Sequence, residues 1–207
     1  MKKKVTAFCL VILLIPGAVV FAWSPERFNR LAEREYTADR DLLPFLKIRP
    51  GIAIADIGAG GGFFSYRFAR LTGSGGRVYA VDIDPESLSY IKKMAAKKRL
   101  SNLVIVKGSH NSPNLAEKSM DLIFIRNTYH HISNRVEYFS RLKKVMKPGG
   151  RLVVVEYAPD KLSPGRKSWG HYTETRIIKR ELRQAGWTLS HEYGFLKKQS
   201  FLIFSLR

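Results

Sequence analysis

Cysteine is almost missing: Cys9 is the single thiol in 207 residues. It lies close to the start of the chain, too early for a lipobox. Beyond Ala22 the chain therefore has no thiol, which excludes cysteine nucleophiles, thiolate metal sites and disulfides and says nothing about redox compartment. Acidic residues are also scarce, 17 against 36 lysines and arginines, for a formal charge of +19. No internal repeat and no low-complexity tract occurs, so solenoid and array architectures are excluded. What remains is ordinary for one globular domain with a full-sized core, at 45% hydrophobic and 12% aromatic residues.

The first 22 residues stand apart. Lys2, Lys3 and Lys4 form a positive start, Val5 to Ile15 is uncharged and mostly apolar, and Pro16-Gly17 breaks a helix. Val20-Phe21-Ala22 then offers small residues at the two positions a signal peptidase reads. Residues 1–22 thus read as a signal peptide. The alternative is an uncleaved membrane anchor, although Val5 to Trp23 is barely long enough to span a bilayer and Pro16 weakens it. Either reading places the domain outside the cytoplasm, exported to the periplasm or tethered at the membrane.

Without the three leader lysines the formal charge is still +16. The cations gather on expected helix faces: Lys92, Lys93, Lys97, Lys98 and Arg99, then Arg141, Lys143, Lys144 and Lys147, then Arg176, Lys179, Arg180 and Arg183. Solvated helix faces account for this spacing. An anionic membrane or envelope surface is the next reading. Nucleic acid ranks last, because no aromatic-interleaved basic motif is present.

The chemistry-bearing signal is Asp56-Ile57-Gly58-Ala59-Gly60-Gly61-Gly62-Phe63, followed two dozen residues later by Val81-Asp82-Ile83. An apolar strand (Ile52 to Ile57) runs into a glycine loop and then a helix. A second strand (Arg77 to Asp82) ends on a carboxylate. This is how a parallel α/β sheet builds a nucleotide site at the carboxyl ends of its strands. The dinucleotide fingerprint needs a third glycine where this chain has Phe63. An acid two residues before the first glycine would repel a pyrophosphate but suits an ammonium group. A ligand with an ammonium at one end and a ribose at the other is S-adenosylmethionine.

With these motifs the sequence resembles the class I S-adenosylmethionine-dependent methyltransferases. Asp56-x-Gly58-x-Gly60-x-Gly62 matches their first motif and Asp82 their second. Asp121 to Ile125 matches their fourth strand, and Leu142 through Lys147-Pro148-Gly149-Gly150-Arg151-Leu152 the approach to their fifth. The resemblance covers Leu42 to Arg207. It implies a Rossmann-like α/β fold with a seven-stranded, mostly parallel sheet of order 3-2-1-4-5-7-6 and helices on both faces. Residues 23–50 would form cap helices over the cofactor and 51–207 the methyltransferase domain. The expected helix features include an N-cap at Ser24, an apolar face of Phe64, Phe68 and Leu71, and a capping pair of Asn134 and Glu137. Leu103 to Val106 reads as a buried strand.

The resemblance further implies site residues. Asp56, Gly58, Ala59, Gly60 and Gly62 would face the methionine end of S-adenosylmethionine, Asp82 the ribose hydroxyls and Ile83 the adenine. Relatives often place an acid after the third strand, where this chain has Gly108-Ser109-His110, so Ser109 or His110 would stand in. After the fourth strand comes Arg126-Asn127-Thr128-Tyr129-His130-His131-Ile132, at the mouth of the expected site. Asn127 would border the cofactor. Similar segments occur in the branch that includes quinone-biosynthesis C-methyltransferases. Tyr129 would cradle the sulfonium by cation–π attraction and His130 would take the acceptor's proton, while His131 would pack. Glu156 and Gly170-His171-Tyr172 are secondary candidates. Adjacent histidines also suit a metal, but no acidic cluster lies beside them in sequence and none is assigned.

The expected function is methyl transfer to a small-molecule acceptor at oxygen or carbon. The Asn/Asp-Pro-Pro-aromatic run of N-methyltransferases is absent after the fourth strand. An exported, non-catalytic nucleotide- or metabolite-binding protein on the same fold is the alternative. Export would separate the domain from the cytosolic source of S-adenosylmethionine. The sequence says nothing of oligomeric state.

Overall fold

The computed structural model describes residues 24–39, 41–168 and 170–206. The signal-peptide segment lies outside the described residues. Short apolar runs, each followed by a turn and a helical pattern, give α1 (Pro25–Ala38), β1 (Ala53–Ile57), α2 (Phe63–Thr72), β2 (Arg77–Asp82), α3 (Pro85–Lys97), β3 (Leu103–Lys107), β4 (Met120–Arg126), α4 (Arg135–Leu142), β5 (Met146–Tyr157), the single-turn α5 (Pro164–Lys167), α6 (Thr175–Gln184), β6 (Trp187–Tyr193) and β7 (Gln199–Leu206). The seven strands form one sheet in the order β3-β2-β1-β4-β5-β7-β6. β3, β2, β1, β4 and β5 run parallel, and β7 enters antiparallel between β5 and β6. This is the order implied by the resemblance.

Side chains on a strand alternate faces, so each central strand feeds two cores. Ile54, Phe124, Val153 and Val155 point to one face and meet Phe64 and Phe68 of α2 and Ile91 of α3. Ala55, Ile57, Ile123, Ile125 and Val154 point to the other and meet Phe139 and Leu142 of α4 and Ile178 and Leu182 of α6. A one-residue slip of β4 would exchange both sets, so the register is strongly specified. Phe124 lies 5.0 Å from Phe64 and 5.1 Å from Phe68 between ring centroids. Burying each such ring stabilises the fold by roughly 2–3 kcal/mol. Trp187 is buried and its indole N–H donates to the Phe139 carbonyl at 2.9 Å, tying β6 to α4.

Three local expectations change. Leu71 is 45% exposed, because the buried face of α2 turns towards Thr72, which hydrogen-bonds the Phe68 carbonyl and the Asn102 side chain. Asn134 stands at the N-cap of α4 with φ 47° and makes no side-chain cap bond. From that left-handed backbone its side chain caps nothing, and Glu137 pairs with Arg141 one turn on. β3 is half-buried rather than buried, since it is the sheet's outer strand. Ser24 does cap α1, accepting from the Arg27 N–H at 3.3 Å, with Pro25 in the first turn.

Candidate active site

The carboxyl ends of the parallel strands gather the candidate residues along one edge of the sheet, where α/β proteins bind ligands. Leaving β1, the chain turns back sharply. The N–H groups of Gly58 and Ala59 both donate to the Val81 carbonyl, at 2.8 and 3.1 Å. Gly58 has φ 74°, and a Cβ there would lie 2.1 Å from the Thr128 hydroxyl. The segment after β4 therefore rests directly on the glycine loop. The Asp82 carboxylate closes the other side. Its Oδ2 accepts from the Gly60 N–H at 2.8 Å and its Oδ1 from the Asp84 N–H at 3.0 Å. Ile83, next to it, is 47% exposed, a large apolar side chain without cover.

Asp56 lies beneath the loop, 4% exposed, and accepts from the Ser65 hydroxyl of α2 at 2.5 Å. Burial is the main cause that pushes its carboxyl up to about 7; the Ser65 hydrogen bond opposes this and the charge of Asp82 adds to it.

α1 covers this loop. A Cβ on Gly61 would lie 2.1 Å from the Pro25 carbonyl and 2.6 Å from the Asn29 Oδ1. That Oδ1 is the buried side-chain polar atom that lacks a hydrogen-bond partner among the described residues. Glu35, one end of α1's inner face, is 5% exposed. It accepts from Arg126 at 2.7 Å and from the Tyr157 hydroxyl at 2.6 Å, at the ends of β4 and β5. The sequence reading missed Asn29 and Glu35, because polar residues on an amphipathic helix read as a solvent face.

Tyr129 does not face the cleft. Tyr129–His131 is a 3₁₀ turn, in which successive side chains step by about 120°. Tyr129 takes the inward position and is fully buried, stacked on Phe139 at 5.1 Å. Its hydroxyl donates to Glu181 at 2.8 Å, and the cation over its ring is Arg135, at 5.4 Å. The sulfonium cradle expected of Tyr129 is therefore excluded by its place in the core.

His131 takes the outward position, while the His130 side chain is only 8% exposed. His130 is held from behind by Glu156, which is fully buried at the end of β5. Nδ1 of His130 lies 3.0 Å from Glu156 Oε1, and the His130 backbone N–H reaches Oε2 at 3.4 Å. A carboxylate only accepts, so Nδ1 carries a proton, and in the neutral imidazole Nε2 then presents a lone pair. His131 is exposed instead of packed, 4.0 Å from His130 between ring centroids. Its ring is pushed down to about 4, first by partial desolvation and then by its two histidine neighbours. His171 joins them from the segment after α5, its Nδ1 3.4 Å from Nε2 of His130. A groove of about 610 Å³, lined by His130, His131, Asn134, Arg135 and Glu181 among others, opens alongside.

The remaining candidates are dispersed. Asn127 has φ 51°, its N–H donates to the Val155 carbonyl and its side chain accepts from Gln199 at 2.7 Å. Ser109 and His110 are exposed. Ser109 closes a tight turn, its N–H donating to the Ser112 carbonyl at 2.7 Å.

The sheet order, the glycine loop under a cap helix and the carboxylate after β2 define a nucleotide-binding domain of the methyltransferase kind. A family model described as a methyltransferase domain matches residues 48–186, and the chain belongs to this family. It is 28% identical over 127 residues, 61% of this chain and 51% of the relative, to the ubiquinone/menaquinone biosynthesis C-methyltransferase UbiE of Teredinibacter turnerae. The Marinomonas protein of the same name is 29% identical over 112 residues. The chain spans about half the length of these curated relatives. Among solved structures, a SAM-dependent methyltransferase from Aquifex aeolicus superposes with a TM-score of 0.76 at 24% identity, covering 87% of this chain and 97% of that one. A protein from Bordetella parapertussis described as a possible exported protein superposes with a TM-score of 0.60 at 17% identity, covering 88% of this chain and 66% of that one. Both likenesses are of fold. The cofactor of the family is S-adenosylmethionine.

Proposed function

We propose that the protein transfers a methyl group from S-adenosylmethionine to a small-molecule acceptor at oxygen or carbon. The residues at the sheet edge fit that cofactor. Asp56 and the unpartnered Asn29 Oδ1 suit its ammonium group, the backbone of Gly58, Gly60 and Gly62 its methionine chain, and Asp82 its ribose hydroxyls, with exposed Ile83 offered to the adenine. Bound there, the cofactor supplies an electrophilic methyl group on a sulfonium, whose departure leaves a neutral thioether. The chain's own work is to position, exclude water and take a proton. α1 covers the loop, and the Glu35–Arg126–Tyr157 network holds α1 in place.

The observation that carries the catalytic part is the His130–Glu156 pair. Glu156 fixes the ring and its tautomer, so that the Nε2 lone pair can accept the proton of an acceptor hydroxyl or an acidic carbon as the methyl arrives. The relatives named as C-methyltransferases and the lack of an Asn/Asp-Pro-Pro-aromatic run favour carbon or oxygen over nitrogen. Calorimetric titration with S-adenosylmethionine and with NAD tests the cofactor: binding of the first and not the second is expected. Once an acceptor is found, His130→Ala should lower turnover by about 10²–10⁴ with cofactor affinity unchanged. Unchanged turnover would leave proximity alone as the mechanism. Cofactor binding without transfer to any acceptor would favour the non-catalytic binding protein.

A further inference from the structure

Folding assembles something the sequence order conceals. His130 and His131 come from the turn after β4, and His171 from a segment forty residues on. One ring nitrogen from each lies within 4.8 Å of the other two. The His130 Nε2 to His171 Nδ1 separation is 3.4 Å. In a tetrahedral site with metal–nitrogen bonds of about 2.0–2.1 Å, neighbouring ligand nitrogens stand about 3.4 Å apart. Two of the three nitrogens are thus already at ligand spacing. His131 and His171 are exposed, so a cation can reach them from solvent.

The shell behind the cluster has the matching form. A metal-bound imidazole characteristically donates its other N–H to a carboxylate, which fixes the ring and raises the basicity of the coordinating nitrogen. Glu156 does this to His130, from full burial and at 3.0 Å. Glu156 is itself fixed, accepting the N–H of Tyr157 at 2.9 Å. His171 serves through Nδ1 as a neutral imidazole, whose one proton then sits on Nε2.

We propose that His130, His131 and His171 form a binding site for one divalent transition-metal ion of the zinc class, with Glu156 as the carboxylate behind the first ligand and a fourth position open to water or an oxyanion beside the groove. Imidazole donors suit zinc, copper, nickel and iron, and exclude magnesium and calcium, which take oxygen. Three protein ligands with an open position is the arrangement of catalytic rather than structural zinc. The Nε2 lone pair of His130 holds a proton or a metal ion, not both. A loaded site therefore withdraws His130 as a base and offers a Lewis acid in its stead. Metal binding does not depend on methyl transfer, so its success or failure is read separately.

The test is calorimetric titration of the untagged full-length protein with zinc chloride, together with the visible spectrum of the cobalt(II)-loaded protein. One zinc per chain is expected, with the intense bands of four-coordinate cobalt. His131→Ala and His171→Ala should each weaken zinc binding by on the order of 100-fold, and Glu156→Gln by about tenfold or more. His191→Ala, on exposed β6, should bind zinc like the wild type. Both ligand substitutions fall at exposed positions, and thermal melting checks that these variants fold. The wild-type stoichiometry and cobalt spectrum carry the test without them. A wild type that takes up no zinc would overturn the site, as would zinc binding that survives joint loss of His131 and His171.

Discussion

Asp56 is the residue whose chemistry the fold has altered most. Its carboxyl keeps a proton up to about pH 7 because burial disfavours the charge more than the Ser65 hydroxyl supports it. In the unfolded chain it ionises near pH 4. Between those values the folded state binds the proton and the unfolded state does not, so Asp56 makes stability fall as pH rises from about 4 to about 7, with no further loss above. An ammonium group brought against it reverses the balance by favouring the carboxylate. Cofactor binding near pH 7 should then expel a fraction of a proton per chain. Calorimetry in buffers of different ionisation enthalpy reads that number directly, and Asp56→Asn should bring it close to zero. A proton count unchanged in Asp56→Asn would place the ammonium elsewhere. The spacing of Asp56 to the glycines announced an acid at this position; its burial, and so its raised pKa, depends on α1 and α2 closing over it and was not legible. Tyr129 illustrates the reverse case. An aromatic ring beside two histidines read as part of the cleft, but the 3₁₀ turn assigns inward and outward positions by residue, and Tyr129 drew the inward one.

At the scale of the element, α1 decides access to the glycine loop. Its clamp is Glu35, paired in near-complete burial with Arg126 and Tyr157. Removing one partner of a buried pair leaves the other charge uncompensated, so Glu35→Ala should cost about 3 kcal/mol. Gly61→Ala attacks the same contact from below. Its Cβ would meet the Pro25 carbonyl at 2.1 Å, and a backbone oxygen can move only with its helix. Both variants should speed hydrogen exchange across residues 25–38 relative to the sheet. Unchanged protection there would mean that α1 is held by its apolar face alone. The strands and most helices were legible because a period of two or of 3.6 is a local property of sequence, and the resemblance supplied their order. The clamp was not, since Glu35 and Arg126 are 91 positions apart. Nor was the histidine cluster: Glu156 and His171 were legible as candidates, but their meeting with His130 is a product of sheet order. The Asn134 cap failed for a local reason, a left-handed backbone that residue type alone does not announce.

For the whole molecule, the surplus of positive charge is a matter of distribution. Exposed Lys92, Lys93 and Lys97 lie on α3, on one side of the sheet, while Arg141, Arg180 and Arg183 lie on α4 and α6, on the other. Cations thus lie on both sides of the sheet, and the field they make acts on association rather than on fold. No helix among the described residues is long and apolar enough to cross a membrane. Residues 1–22 carry a pattern we read as a signal peptide, and the expected place of the protein in the cell follows from that reading. Cleavage after Ala22 would leave Trp23 alone ahead of Ser24, whose side chain caps α1, so the processed chain would keep the helix that covers the glycine loop and the Glu35 clamp beneath it. Removal of the leader should accordingly leave the melting temperature unchanged. N-terminal sequencing of protein taken from its own cell should begin at Trp23, in the periplasmic or secreted fraction. A product beginning at Met1 in the membrane fraction would assign an anchor instead. A soluble cytosolic product beginning at Met1 would overturn export, and would put the protein where S-adenosylmethionine is made.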